Sequence, residues 1–137
     1  MILVDSSVWI DLLANRDTPQ TRRFEQFALA QQQLGLGDLM LVEVLQGIRR
    51  DREYDRLLAR LSAFPQTRIS DQLIAKAAAQ NFRTLRSMGI TIRKTIDTLI
   101  ATRCILDNIP LLFADRDFHP FVEHLNMRSA LDDTGLN

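Results

Sequence analysis

A single cysteine, Cys104, stands in 137 residues, so no internal disulfide can form, which fits a reducing cytoplasm. No apolar run approaches the ~20 residues that a membrane-spanning helix needs. No signal sequence is visible either, because Met1 leads into Ile2-Leu3-Val4 and Asp5 cuts that run short. Together these absences read as a soluble, cytoplasmic chain. Glycine-rich phosphate loops and GxSxG elbows are missing too. The two histidines, His119 and His124, lack the Cys/His neighbours of a zinc site and read as surface residues. Cys104 reads as packing rather than as a nucleophile, and Trp9 as core. No excess charge of either sign exists: 17 Lys+Arg balance 17 Asp+Glu, which leaves a nucleic-acid partner neither favoured nor excluded. Lysine is scarce, with only Lys76 and Lys94 among the 17 bases. Arginine, the remainder, suits planar recognition of phosphate or of a partner's carboxylates.

What is present describes one compact domain. A hydrophobic content of 46% in 137 residues supports one core and not two. We place the domain at 1–130, followed by a short polar tail, 131–137, expected to fray. Neither repeats nor linkers interrupt it.

Ile2-Leu3-Val4 reads as a buried strand running into the polar turn Asp5-Ser6-Ser7. Val8, Trp9, Leu12 and Leu13 fall at helical spacing until Asn15 to Pro19 break the pattern. A second helix is expected over about Thr21 to Gln33, with Phe24, Phe27 and Ala28 inward. Gly35-Leu36-Gly37 reads as a turn or short strand, and Asp38 as the cap of a helix over Leu39 to Ile48. Asp51 to Ala63 is the next helix, with Tyr54, Leu57, Leu58 and Leu61 on its apolar side, ended by Phe64-Pro65. Arg68-Ile69 is a candidate strand, and Ser70 a candidate cap for a long helix, Asp71 to Met88, closed by Gly89. Thr95 is expected to cap a helix carrying Ile96, Leu99, Ile100 and Leu106. Leu111-Leu112-Phe113 is the second clear apolar strand, and it too runs into acids, Asp115-Arg116-Asp117. A short helix around Phe118 to Leu125 and a last strand within Asn126 to Ala130 complete the chain. Short apolar strands alternating with helices indicate an α/β sandwich with a mainly parallel sheet. Such sheets bind ligands outside the carboxyl ends of their strands, where Asp5 and Asp115 stand.

Each acid also has an ordinary explanation. Asp5 can cap a helix. Glu43, within Leu39-Met40-Leu41-Val42-Glu43-Val44-Leu45, can belong to a solvated stripe, although its polar face with Gln46 and Gly47 is narrow enough for a cleft. Gly47 costs ~1 kcal/mol in a helix, which suggests close approach there. Asp97 sits in a first helical turn, where the dipole favours it, above the small residues Ala101 and Cys104. Asp117 reads better as a cap for the following helix, Asp115 better as a metal ligand.

Taken together, the four blocks Ile2-Leu3-Val4-Asp5-Ser6-Ser7, Glu43-Val44-Leu45-Gln46-Gly47, Ile96-Asp97-Thr98-Leu99-Ile100-Ala101 and Asp115-Arg116-Asp117-Phe118 resemble the PIN-domain nucleases. More narrowly they are similar to the VapC-type toxins of bacterial toxin–antitoxin pairs. That resemblance implies a PIN-like three-layer sandwich, with a parallel sheet between helices and a Mg²⁺ or Mn²⁺ site at its carboxyl edge. It also implies endonucleolytic cleavage of RNA, a cognate antitoxin and a homodimer. Asp5, Glu43, Asp97 and Asp115 match the acidic quartet, with Asp117 as a candidate fifth member.

The chemistry needs such residues: Mg²⁺ and Mn²⁺ prefer oxygen ligands, and a metal-activated water can hydrolyse a phosphodiester. One departure stands out. Phe113 lies where such toxins commonly carry Thr or Ser, so another hydroxyl must share the task, and Ser6 is the expected substitute. Arg93 and Lys94, just before Asp97, are the candidates for holding RNA. Arg49, Arg52, Arg56 and Arg60 alternate with acids and read as a solvated ion-pair surface. The rival readings are another magnesium-dependent phosphotransfer protein, such as a phosphatase or phospho-receiver, and an RNA- or protein-binding module with weak turnover.

Overall fold

The computed structural model describes residues 1–133. Its order is β1 (Ile2–Val4), α1 (Ser6–Leu13), α2 (Pro19–Leu29), β2 (Leu34–Gly37), α3 (Asp38–Leu45), α4 (Asp51–Leu61), β3 (Gln66–Thr67), α5 (Gln72–Ser87), α6 (Thr95–Leu106), β4 (Leu111–Leu112), a 3₁₀ turn (Arg116–Phe118) and α7 (His119–Leu125). The strands form one parallel sheet in the order β3-β2-β1-β4. Leu3 pairs with both Gly35 and Leu111, which makes β1 a central strand, buried at every residue.

Handedness then fixes the layers. Steps from β1 to β2 to β3 run one way across the sheet, and right-handed crossovers put α1 to α4 on one face. The return from β3 to β4 carries α5 and α6 across the other. The packing agrees: α1 meets α2 and α3, α3 meets α4, and α5 meets α6 and α7. The result is the expected three-layer α/β sandwich.

Local chemistry sets the boundaries. Thr18 and Thr21 exchange capping hydrogen bonds around Pro19, which starts α2. Asp71, one residue beyond the expected Ser70, caps α5 by accepting the Ile74 N–H at 2.8 Å. Gly89, at φ +81°, closes that helix in a conformation that disfavours a side chain. Gly37 is required for a different reason: a Cβ there would lie 2.6 Å from Ile69 and 2.7 Å from Met40.

Several expectations move. The third strand is Gln66–Thr67, not Arg68-Ile69; Ile69 is fully buried and its N–H serves Asp38 Oδ1 at 2.9 Å. Asp38 is therefore a tie to that connection, inside α3 and not its cap. The second helix stops at Leu29, leaving Ala28 exposed, and Tyr54 is 37% exposed on α4. Because α3 ends at Leu45, Gly47 lies outside any helix, and only the Val44 carbonyl, at 3.9 Å, would meet a Cβ there. The last strand shrinks to one bridge, Leu111 to Ser129. Of the expected tail, residues 131–133 are turned back, with Asp133 paired to Arg128, and 134–137 lie outside the described residues.

Arg103 binds the layers behind the sheet edge. Its Nε donates to the Ile69 carbonyl at 3.0 Å, and its two other nitrogens reach Asp71 and Asp107. No helix among the described residues is long and apolar enough to cross a membrane.

Candidate metal centre

Strand order reverses at β1, with β2 on one side and β4 on the other. That reversal opens a crevice beyond the carboxyl ends of β1 and β4. Asp5 leaves β1 into it, and Asp115 follows β4 three residues on. Asp97 approaches from the first turn of α6, and Glu43 from α3.

Asp5 is 3% exposed and caps α1, accepting the Ser7 N–H at 3.1 Å and the Ser7 hydroxyl. The cap reading thus holds for this residue, and the capping carboxylate stands at the crevice. Burial, against the two Ser7 hydrogen bonds and with Glu43 nearby, pushes its carboxyl up to about 6. Ser6 donates its hydroxyl to Glu43 Oε1 at 3.1 Å, so α1 is tied to α3 through the acids.

Asp97 is 2% exposed. Burial pushes its carboxyl up to about 7; Lys94 opposes this, whereas Asp5, Asp115 and Glu43 add to it. Position near a helix N-terminus therefore does not decide its charge; desolvation wins. Its Oδ2 is buried without any hydrogen bond, and the neighbouring Thr98 hydroxyl shares that condition.

Asp115 is the cap here, not Asp117: its Oδ1 accepts the Asp117 N–H at 2.9 Å and starts the 3₁₀ turn. Capping two residues earlier, at Asp115, leaves Asp117 inside the turn, free of the cap role expected for it. Burial works against the Asp115 charge, but the Asp117 N–H and Lys94 outweigh it and hold the carboxyl below its ordinary range. One carboxylate oxygen each from Asp97, Asp115 and Asp117 lie within 4.8 Å of one another. Opposite ligands of an octahedral Mg²⁺ stand about 4.2 Å apart, so the spacing suits a hard cation. An all-oxygen donor set and an orphaned buried Oδ2 fit it as well.

Two cations already face these acids. Lys94 Nζ lies 3.0 Å from Asp115 Oδ2 and 3.6 Å from Asp97 Oδ2. Arg93 spans both oxygens of Asp117 at 3.0 and 3.2 Å. Lys94 occupies the N-cap of α6 that Thr95 was expected to fill, and it makes no capping hydrogen bond.

Ser7 is the residue that sequence reasoning missed. Its hydroxyl donates to Asp5 and accepts the Ala114 N–H at 3.1 Å, joining the two strand ends that carry acids. A Ser two residues after an Asp at a strand end was the available signal. Phe113 is buried against Phe118, with ring centroids 5.3 Å apart, and meets His119 edge-on. It packs and offers no polar atom to the site. Trp9 is core as expected, its Nε1 donating to the Val4 carbonyl at 2.9 Å. Cys104 is buried, and that burial pushes its thiol far up, away from the thiolate a nucleophile needs. Arg49, Arg52, Arg56 and Arg60 are exposed along α4 and its approach.

The family model of the PIN domain matches residues 2–121. Ribonuclease VapC11 of Mycobacterium tuberculosis is 26% identical over 133 residues, covering 95% of this chain and 98% of the relative. VapC ribonuclease Mb1587 of Mycobacterium bovis matches to the same extent. Among solved structures, the fold is similar to VapBC2 from Rickettsia felis bound to a DNA fragment from its promoter. There the TM-score is 0.72 at 18% identity, covering 94% of this chain and 97% of that one.

Proposed function

The chain belongs to the PIN-domain family, and from that premise we propose that it is a metal-dependent endoribonuclease, the toxin of a toxin–antitoxin pair. The observation that carries the reading is the buried, unbonded Oδ2 of Asp97 beside Asp115 and Asp117 at the sheet's switch point. Similarity to VapC ribonucleases over nearly the full length supports the substrate class.

Asp97, Asp115 and Asp117 would hold Mg²⁺ or Mn²⁺, with Asp5 and Glu43 completing the acidic wall. Such an ion supplies Lewis acidity that activates water and stabilises charge on the phosphate. Ser7 fixes Asp5 and, through Ala114, the approach to Asp115. Ser6 fixes Glu43, whose remaining acceptor capacity can orient a water toward the phosphorus. Arg93 and Lys94, on the rim, are the groups that would hold the RNA backbone.

An antitoxin that presents a basic side chain to these acids is the expected inhibitor, and Lys94 already demonstrates that an ammonium fits. A groove of ≈ 210 Å³ lined by Trp9, Leu12, Leu13, Phe24, Leu57 and Phe64 supports a further apolar protein contact. Homodimer formation is expected on family grounds, and light scattering that shows only monomer would remove it.

RNA cleavage should require Mg²⁺ or Mn²⁺, stop in EDTA and vanish in Asp97→Asn. Full cleavage in chelator would overturn the metal mechanism.

A further inference from the structure

Lys94 stands where helix chemistry does not want it. The N-cap of α6 favours Ser, Thr, Asp or Asn, and the positive end of the helix dipole repels an ammonium. Lys94 makes no capping hydrogen bond, yet its carbonyl accepts the Asp97 N–H at 3.1 Å, which fixes its backbone beside the acid. Its side chain therefore lies against the carboxylates for their charge.

The fit is incomplete in a telling way. Nζ is at hydrogen-bonding distance from Asp115 Oδ2, 3.0 Å, but 3.6 Å from Asp97 Oδ2, which remains without a hydrogen bond. A divalent ion held by Asp97 and Asp115 would satisfy the orphan that the ammonium leaves. Such an ion and the Lys94 ammonium, being like charges, would compete for the same two carboxylates. Lysine suits an occupant that must leave, being a point charge on a flexible stem, and its side chain is 49% exposed. Arg93 is placed differently: one of its nitrogens reaches both oxygens of Asp117, and it makes no ion pair with Asp97 or Asp115.

We propose that Lys94 is a tethered counter-ion that occupies the metal's place between Asp97 and Asp115 and is displaced when the divalent ion binds. It thereby sets the metal concentration at which the protein loads. This rests on the reading of Asp97 and Asp115 as metal ligands. It assigns Lys94 a positioning role distinct from RNA binding.

Mn²⁺ titration of the RNA-free full chain, by calorimetry or by electron paramagnetic resonance of free Mn²⁺, tests it. Lys94→Met should bind Mn²⁺ up to about fivefold more tightly than the parent, the size of effect expected when one partly exposed ion pair no longer competes. Arg93→Met removes the same charge one residue away, with its exposed pair to Asp117, but leaves the two oxygens that Lys94 faces on Asp97 and Asp115 untouched; it should change Kd by about twofold or less. Lys94→Gln, which keeps a polar side chain, should reproduce the Lys94→Met result and covers the case in which that variant folds poorly. Equal effects at 93 and 94, or no tightening at 94, overturn the displacement while leaving the metal site standing. No Mn²⁺ binding by any of the four proteins overturns the metal site and this proposal with it.

Discussion

The Ser7 hydroxyl accepts the backbone N–H of Ala114 at 3.1 Å, across 107 residues of chain. The same hydroxyl donates to Asp5, so one side chain couples the end of β1 to the loop that delivers Asp115. Ser7→Ala removes both bonds and should lower the cleavage rate by roughly 10–100-fold, the range seen when support behind a ligand is lost. Ser6→Ala releases only Glu43 and should fall at the mild end of that range. Single-turnover rates at saturating Mn²⁺ separate them; a Ser6 effect larger than that of Ser7 would reverse the assignment.

Phe113 supplies no polar atom to the site, so its replacement should be felt in stability. It is 5% exposed and packed against Phe118. Phe113→Thr removes most of a buried ring and should cost about 2–4 kcal/mol of unfolding free energy. The rate per folded molecule should stay near the parent's, because Ser7 already bridges Asp5 and Ala114. Urea denaturation combined with active-fraction kinetics checks both halves. A sharp rise in rate would mean that a hydroxyl at 113 is needed after all.

The acids at the ends of β1 and β4 were legible because an apolar run stopped by a carboxylate is a local signal. So was α5, an alanine-rich helix ended by Gly89. β3 was hidden, since two polar residues at a sheet edge, Gln66 and Thr67, carry no periodicity. The cap shift from Thr95 to Lys94 was hidden for a different reason. Its side chain is placed by Asp97 and Asp115, and Asp115 comes from another part of the chain. Ser7 was half legible: its tie to Asp5 is local, but Ala114 is brought alongside only by the parallel pairing of β1 with β4. Asp115 and Asp117 were separable in kind but assigned the wrong way round for the cap, because two acids flanking one arginine present the same local sequence. Sequence thus located the meeting place of the acids, while the bonds among them belong to tertiary structure.

The two neighbouring acids should still differ on substitution. Asp115→Asn keeps an acceptor for the Asp117 N–H and therefore the turn, but loses the charge facing Asp97 and Lys94. Cleavage should drop by more than about 100-fold. Asp117→Asn releases Arg93, an exposed pair worth little, and removes one member of the triplet. A loss of about tenfold is expected there. Equal losses would raise Asp117 to the rank of Asp115.

The raised carboxyls also make the metal-free fold depend on pH in a stated direction. Asp5 is pushed up to about 6 and Asp97 to about 7, chiefly by burial, from an ordinary value of 3.8. At both residues the folded state keeps protons that the unfolded chain releases, so stability is fully present below pH ~4 and is lost as pH rises toward 7. Raising a carboxyl by one pH unit corresponds to about 1.4 kcal/mol, and the two buried groups together should contribute a few kcal/mol. In EDTA, the melting temperature should therefore fall between pH 4 and pH 7, a range that lies above the titration of the lowered carboxyls Asp71 and Asp115. Asp97→Asn should flatten the slope and melt several degrees above the parent at pH 7, since roughly 3 °C accompanies each kcal/mol in a domain of this size. Mg²⁺ should restore the parent mainly at the upper end, where the carboxylates are charged and able to bind it. A metal-free melting temperature that rises across this range would mean that Asp5 and Asp97 are charged in the fold at little cost, and that burial does not govern them.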